Sequence, residues 1–282
     1  MIENPFAGDV AERYHRGRPR HHERTLRRVL PSGGSGIGLD VAGGTGLSTS
    51  ALGALGFDAV CVDVALPMLA LADGRRVCAS AAHLPCRSGA ASIVTVSSGV
   101  HWFDQAAFFA EALRVLRTGG LLVLYEHGFL GVPDDERFQT WSADVYRARY
   151  PTPPRGAYPT EVSPAGFTHV RGEQIVESIP FTQDALVDYF LTQSNTVGPV
   201  ERGEETIESV RSWLMQETSV FFAAGGGGSV RDFSFWASID VWSAGGQSRR
   251  SGRLLAASES SHGELMCQPL PSGSSSERAR PP

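Results

Sequence analysis

The sequence predicts an α/β fold in which helices cover both faces of a mainly parallel sheet. Three observations carry that prediction. Apolar runs at 37–42, 59–64, 91–97 and 121–126 recur between stretches with helical spacing. The runs are nearly continuous rather than alternating, as strands buried on both faces require. The first run closes on Gly38-Leu39-Asp40-Val41-Ala42-Gly43-Gly44-Thr45-Gly46, whose density of small residues places a strand-to-helix turn there.

The bulk composition is compatible with such a fold. The 282 residues are 41% hydrophobic, enough for one large domain or one domain with additions. No apolar stretch approaches the roughly 18 residues that span a bilayer. The start, Met1-Ile2-Glu3-Asn4-Pro5, lacks the basic-then-apolar order of a signal peptide, so a cytoplasmic protein without a membrane partner is expected. The net charge of -5 argues against general nucleic-acid binding. All 25 basic residues are arginine, which excludes a catalytic lysine. Cys61, Cys78, Cys86 and Cys267 have neither zinc-site nor disulfide-framework spacing. Cys61 and Cys78 read as small buried hydrophobes.

Taken in order, residues 1–30 form a helical cap. Phe6, Val10 and Tyr14 share one face, and Leu26, Val29 and Leu30 share a second, on either side of the break Gly17-Arg18-Pro19. A Gly/Ser linker, 31–36, follows. The first strand, 37–42, leads to a helix over 47–55 with Leu47, Ala51 and Leu55 on one face. A strand is predicted over 59–64, a short helix over 66–72, and strands over 75–80 and 91–97. The next helix covers 104–117: Asp104 is a good N-cap, Phe108, Phe109, Ala112, Leu113 and Leu116 face the core, and Gly119-Gly120 ends it. A strand follows over 121–126.

Residues 129–165 break the rhythm and read as an insertion over the carboxyl edge of the sheet. A charged helical stretch, 133–149, precedes a proline-rich one, 151–164. The alternation then resumes with a strand over 170–179, helices over 183–191 and 204–223, a flexible turn at 225–228 and a strand over 231–241. The main domain spans 31–242, and the Gly-, Ser-, Arg- and Pro-rich 243–282 reads as a disordered tail.

Three ligands compete for the glycine turn. A dinucleotide fingerprint needs G-x-G-x-x-G, but its third position falls on Thr49 or Leu47. A P-loop needs a lysine. The remaining pattern is an acid, Asp40, followed by Ala42, Gly44 and Gly46. Such an acid can bind an amine, and the glycines can pass under an amino-acid and ribose moiety. A second acid, Asp63, ends the next strand roughly 20 residues on, where a carboxylate can accept both ribose hydroxyls.

These residues resemble the class I S-adenosylmethionine-dependent methyltransferases over about residues 5–130, and more loosely beyond. Further segments carry the likeness: Pro67-Met68-Leu69, Ser80-Ala81-Ala82-His83-Leu84-Pro85, His101-Trp102-Phe103-Asp104 and Arg117-Thr118-Gly119-Gly120. The His-Trp-Phe-Asp form and the N-terminal cap resemble a small-molecule branch that includes trans-aconitate-type methyltransferases. The resemblance implies a Rossmann-like, doubly wound, seven-stranded mixed sheet with helices on both faces. It also implies S-adenosyl-L-methionine as cofactor. Asp40, Ala42, Gly43, Gly44 and Gly46 would meet its methionine part, Asp63 and Val64 its ribose, Met68, Ser80 and Ala81 its adenine. Ser80 stands where many members have Asp, so its hydroxyl would be a weaker acceptor than a carboxylate. Ser98 would lie between cofactor and acceptor.

Acceptor chemistry is read from fewer residues. His101 is the candidate general base; alternatively it orients Trp102 or touches the cofactor. His127 also falls at the carboxyl edge, as a candidate or as a solvated loop residue. Trp102 and Tyr14 could line the acceptor, as could Tyr146, Tyr150 and Tyr158. A carboxylate acceptor needs no base, and Arg16, Arg18, Arg147 or Arg149 could hold it. No metal cluster is evident.

The expected activity is methyl transfer to a small-molecule acceptor, at a carboxylate or hydroxyl oxygen, by a monomer or homodimer. A tRNA or protein methyltransferase and a non-catalytic S-adenosylmethionine-binding regulator are the alternatives.

Overall fold

A computed structural model describes residues 9–153, 164–222 and 229–245. Phe6, Tyr158, the turn at 225–228 and the tail from 246 onward lie outside these residues.

One seven-stranded sheet organises the chain. Its strands are β1 (Ile37–Val41), β2 (Asp58–Asp63), β3 (Arg75–Cys78), β4 (Ala91–Ser97), β5 (Leu116–Gly131), β6 (Phe167–Phe181) and β7 (Arg231–Ala244). They lie side by side in the order β3-β2-β1-β4-β5-β7-β6. The first five are parallel, and β7 runs antiparallel to both β5 and β6. The chain order reverses between β1 and β4, the position at which an open α/β sheet parts its loops and accepts a ligand.

Helices cover both faces, as the continuous apolar strands demand. On one face, α2 (His22–Val29) and α3 (Leu47–Ala54) bury Leu26, Leu30, Ala51 and Leu52 against Ile93, Val123, Tyr125 and Ile239. On the other, α5 (Gln105–Val115) sets Phe108, Phe109, Ala112 and Val115 on Leu39, Val94, Val96, Leu122 and Leu124. Each fully buried side chain of this size contributes about 2 kcal/mol.

Two short helices stand at the carboxyl end of the sheet. They are α1 (Val10–Gly17) and α4 (Leu66–Leu69), joined through Ala11, Ala65 and Met68. A second apolar cluster extends beyond the sheet. The far ends of β5, β6 and β7 bring Phe129, Phe181, Phe233 and Phe235 to Tyr189 and Phe190 of α6 (Gln183–Phe190). Phe138, Trp141, Tyr146 and Tyr150, from 136–150, and Leu214, from the helix Ile207–Thr218, complete it.

Several elements differ from the sequence expectation. The helix expected over 104–117 stops at Val115. Leu116 already pairs with Ala91 and Leu121 with Ile93, so Arg117–Gly120 bulge out between two ladder positions. A helix at Ser194–Glu201, unexpected because it holds Gly198 and Pro199, follows α6. The last strand runs to Ala244, past the expected boundary at 242. Cys78 is exposed because β3 is an edge strand, while Cys61 is fully buried.

Candidate active site

Three turns at the carboxyl ends of β1, β2 and β4 build the site. The first contains Ala42, with φ of 56°, and Gly44, with φ of 54°; Gly46, at 80°, caps α3. Glycine is obligatory at position 43 for a different reason. A Cβ there would stand 2.7 Å from both Asp40 Oδ2 and Cys61 Sγ.

Asp40 is completely buried, and its carboxylate holds the turn from inside. Oδ2 accepts from Ser48 at 2.6 Å and Thr49 at 2.7 Å, and Oδ1 accepts from Thr95 at 2.9 Å. Burial raises its pKa against these three hydroxyl donors. Burial, with the Asp40 carboxylate nearby, pushes the Cys61 thiol up to about 12. The structure therefore corrects the sequence expectation for Asp40. It fixes the first helical turn of α3 to β1 and β4 rather than presenting a free carboxylate to an ammonium.

Asp63 ties the second turn to the first. Its Oδ2 accepts from the Gly44 amide at 2.9 Å and its Oδ1 from the Ala65 amide at 2.8 Å. Beside it, Val64 and Leu66 are each 64% exposed, an apolar surface that a helix start rarely leaves uncovered. Met68 is buried and reaches back: its Cε lies 3.2 Å from where a Cβ on Gly44 would stand. The Ser80 hydroxyl accepts from Ala82 N–H at 3.2 Å, and Ala81 is half-buried beside it.

The third turn begins at Ser98, with φ of 52°. Ala42 and Ser98 are the non-glycine residues with positive φ among the described residues, a backbone state that costs about 1 kcal/mol or more. They are neighbours across the sheet: a Cβ on Gly99 would stand 2.8 Å from the Ala42 Cβ. Strain is thus concentrated where the β1 and β4 turns meet. His101 and Trp102 follow on a 3-10 turn with ring centroids 5.0 Å apart, and Trp102 is 53% exposed.

These residues fit S-adenosylmethionine. The Thr45 hydroxyl lies within the turn, 2% exposed, with no hydrogen-bond partner among the described residues. An unsatisfied buried hydroxyl costs about 1–3 kcal/mol, so this one is open to a ligand atom or an ordered water. The N-terminal amides of α3 add donors, and Val64 and Leu66 offer an apolar bed for an adenine ring.

The cap faces this site. Tyr14 packs with Ala11, Ala65 and Met68. The Arg18 guanidinium lies 4.6 Å from the Tyr14 ring centroid and 5.5 Å from that of Tyr189, and donates to Thr192 O at 3.1 Å. Beyond Arg18, His21 stacks on His127 at 3.7 Å. His22 Nδ1 sits 3.2 Å from Tyr125 Oη and 3.5 Å from Ser97 Oγ. His127 Nε2 sits 2.9 Å from Thr25 Oγ1, which donates to Glu177 at 2.9 Å. Burial, with positive neighbours including Arg18, lowers His21 to about 3 and His22 to about 4, and takes His127 far below its usual value.

Several candidates lie elsewhere. Arg16 pairs with Asp188 at 3.4 Å and Arg149 with Glu205 at 2.8 Å, while Arg147 donates to Ser142 O at 3.2 Å. Tyr146 and Tyr150 are buried in the second cluster rather than lining a pocket. His127 is not in a loop; it pairs with Ala237 inside β5. The residues that sequence reasoning passed over are Thr45, Ser48, Thr49 and Thr95 around the turn, and His21, His22 and Tyr125 beneath the cap. His21-His22 directly follows the Arg18-Pro19 break, the one local signal that could have flagged the pair.

Sheet order, glycine turn and strand-end acids match what a class I S-adenosylmethionine-dependent methyltransferase domain requires. Residues 39–124 match the family model of a methyltransferase domain. The chain is 29% identical over 215 residues to an uncharacterised methyltransferase of Mycobacterium tuberculosis, covering 73% of this chain and 84% of the relative. It is 34% identical over 128 residues to a demethylmenaquinone methyltransferase of Mycolicibacterium vanbaalenii, covering 44% of this chain and 55% of that one. A protein from Anaeromyxobacter dehalogenans, solved as a candidate type II methyltransferase, shares the fold. Its TM-score is 0.60 at 20% identity, over 80% of this chain and 95% of that one. The protein is an S-adenosylmethionine-dependent methyltransferase.

Proposed function

We propose that this enzyme methylates an oxygen, carboxylate or hydroxyl, of a small molecule bound between the N-terminal cap and the β4 turn. The observation that carries the reading is the contact between the two strained turns at Ala42 and Ser98, with the unpartnered Thr45 hydroxyl inside the first. The demethylmenaquinone relative, named for a small-molecule substrate, supports a small-molecule acceptor and does not bear on the atom methylated.

When bound, S-adenosylmethionine supplies a methyl group already activated on a sulfonium, so the protein's task is alignment and exclusion of water. The first turn and Thr45 hold the amino-acid end. Asp63, already held by the Gly44 and Ala65 amides, would accept from the ribose hydroxyls. Val64, Leu66, Met68, Ser80 and Ala81 receive the adenine. Residues 9–30, the described part of the cap, would shield the transferred methyl from water, with Tyr14 against Met68. Ser98, His101 and Trp102 border the acceptor from below. His101 takes the proton when the acceptor is a hydroxyl, and a carboxylate acceptor has none to give. We further propose that the protein acts in the cytoplasm, as a monomer or homodimer; no helix of the described residues is long and apolar enough to cross a membrane.

Assaying methyl transfer from S-adenosylmethionine across paired small acids, phenols and their amides tests the reading. Turnover confined to the oxygen nucleophiles supports it, and turnover only on amines or macromolecules refutes it.

A further inference from the structure

Four arginines are sequence candidates to hold an anionic acceptor, and the structure separates them. Arg16 and Arg149 each pair with a carboxylate, and Arg147 is bound to a main-chain carbonyl on the exposed side of the second cluster. Arg18 is different. Its guanidinium is held between the rings of Tyr14 and Tyr189, and one terminal N–H is fixed on Thr192 O. Its Nε–H is buried and has no acceptor, and no carboxylate among the described residues pairs with it.

Two further buried polar atoms near it are unpartnered among the described residues. His21 is 8% exposed, and its Nδ1 is also without a hydrogen-bond partner. Gln193, next to Thr192, keeps a buried amide nitrogen unpartnered. The same guanidinium helps hold His21, His22 and His127 neutral, and the nearby carboxylates are engaged elsewhere: Glu177 by Thr25 and Arg24, Asp188 by Arg16 and Arg211. A half-buried cation with an unused donor and no carboxylate of its own can be completed by an anion. Tyr14 places this cation one side chain away from Met68 and hence from the cofactor turn.

We propose that Arg18 is the anion anchor of the acceptor pocket, and that the acceptor enters with an ionised oxygen (a carboxylate, phenolate or enolate) directed at the guanidinium. The inference rests on the methyl-transfer reading above and sharpens its substrate class. An ionised oxygen uses its own electron pair to form the bond to the methyl carbon. The carbon–sulfur bond breaks toward sulfur, leaving a neutral ester or ether and a neutral thioether, with no proton left to remove. Opposite charges disappear together, which a poorly solvated pocket favours.

The test uses 4-nitrophenol, whose phenolate is coloured and whose phenol is not, titrated onto the full chain saturated with S-adenosylhomocysteine. The bound dye is expected to ionise at least about one pH unit below the free dye, a tenfold shift in its equilibrium. Arg18→Met abolishes that shift, and Arg18→Lys, which keeps the charge, retains part of it. A bound dye that titrates with the free dye, or a shift that survives in Arg18→Met, overturns the proposal. Calorimetry with S-adenosylhomocysteine on the same proteins separates the two readings. Normal binding without a dye shift removes Arg18 alone, whereas absent binding in the wild type removes the methyl-transfer reading itself. Unchanged binding in Arg18→Met shows that the variant is folded.

Discussion

The Asp63 carboxylate accepts the Gly44 amide at 2.9 Å, so the end of the second strand holds the glycine turn at the end of the first. The bond spans two adjacent parallel strands and uses the group best placed to receive ribose hydroxyls. On the proposed reading Asp63 works twice: it shapes the turn and would serve as a ribose ligand when the cofactor binds.

Replacing Asp63 with alanine removes acceptors for the Gly44 and Ala65 amides as well as for the ribose. Affinity for S-adenosylhomocysteine should fall about 10- to 100-fold, the worth of one or two charge-assisted hydrogen bonds. Trp102, half exposed at the site, offers a fluorescence readout. An unchanged affinity in the folded variant would remove Asp63 from the ribose site.

Asp40 should behave differently, because its carboxylate faces inward. Asp40→Ala leaves the hydroxyls of Ser48, Thr49 and Thr95 without their acceptor. The expected loss is about 3 kcal/mol of stability, read as a lower urea midpoint. Asp40→Asn keeps one acceptor oxygen and should lose less. Equal stability of Asp40→Ala and wild type would contradict the clamp.

Gly99→Ala puts a methyl group 2.8 Å from the Ala42 Cβ, closer than side chains tolerate. The two strained turns must then separate. Cofactor binding should drop at least about tenfold while the melting temperature falls by only a few degrees. Loss of stability with intact binding would show that the contact serves packing alone.

The buried histidines set an acid limit. His21 and His22 are lowered from 6.5 to about 3 and about 4, so between those values and 6.5 the unfolded chain binds more protons than the folded one. Their contribution to stability is complete above pH 6.5 and is lost as pH falls toward 4. The melting temperature should decline across that window, and His21→Phe should flatten the decline. A profile as steep in the variant would assign the acid sensitivity to other groups.

Much of the sheet was legible in the sequence because β1, β2 and β4 are buried on both faces and read as unbroken apolar runs. The glycine turn was legible because its residues are contiguous. The work of Asp40 was not, since Thr95 lies 55 residues away and is brought in only when β1 pairs with β4. His22 and Tyr125 are 103 residues apart, and no local pattern joins them. His127 misled for a related reason: Glu126-His127-Gly128 looks like a strand end, but pairing with β7 carries the strand on to Gly131. Position 98 gave no sign of its strain, because serine takes a positive φ only when the surrounding structure imposes it.

The central claim is that the joined turns at Ala42, Asp63 and Ser98 form one S-adenosylmethionine site. Isothermal titration of S-adenosylhomocysteine into the full chain measures this directly. One saturable site per chain, weakened by Asp63→Ala and by Gly99→Ala, is the predicted result. No heat of binding at millimolar ligand, or binding that neither substitution alters, would contradict it.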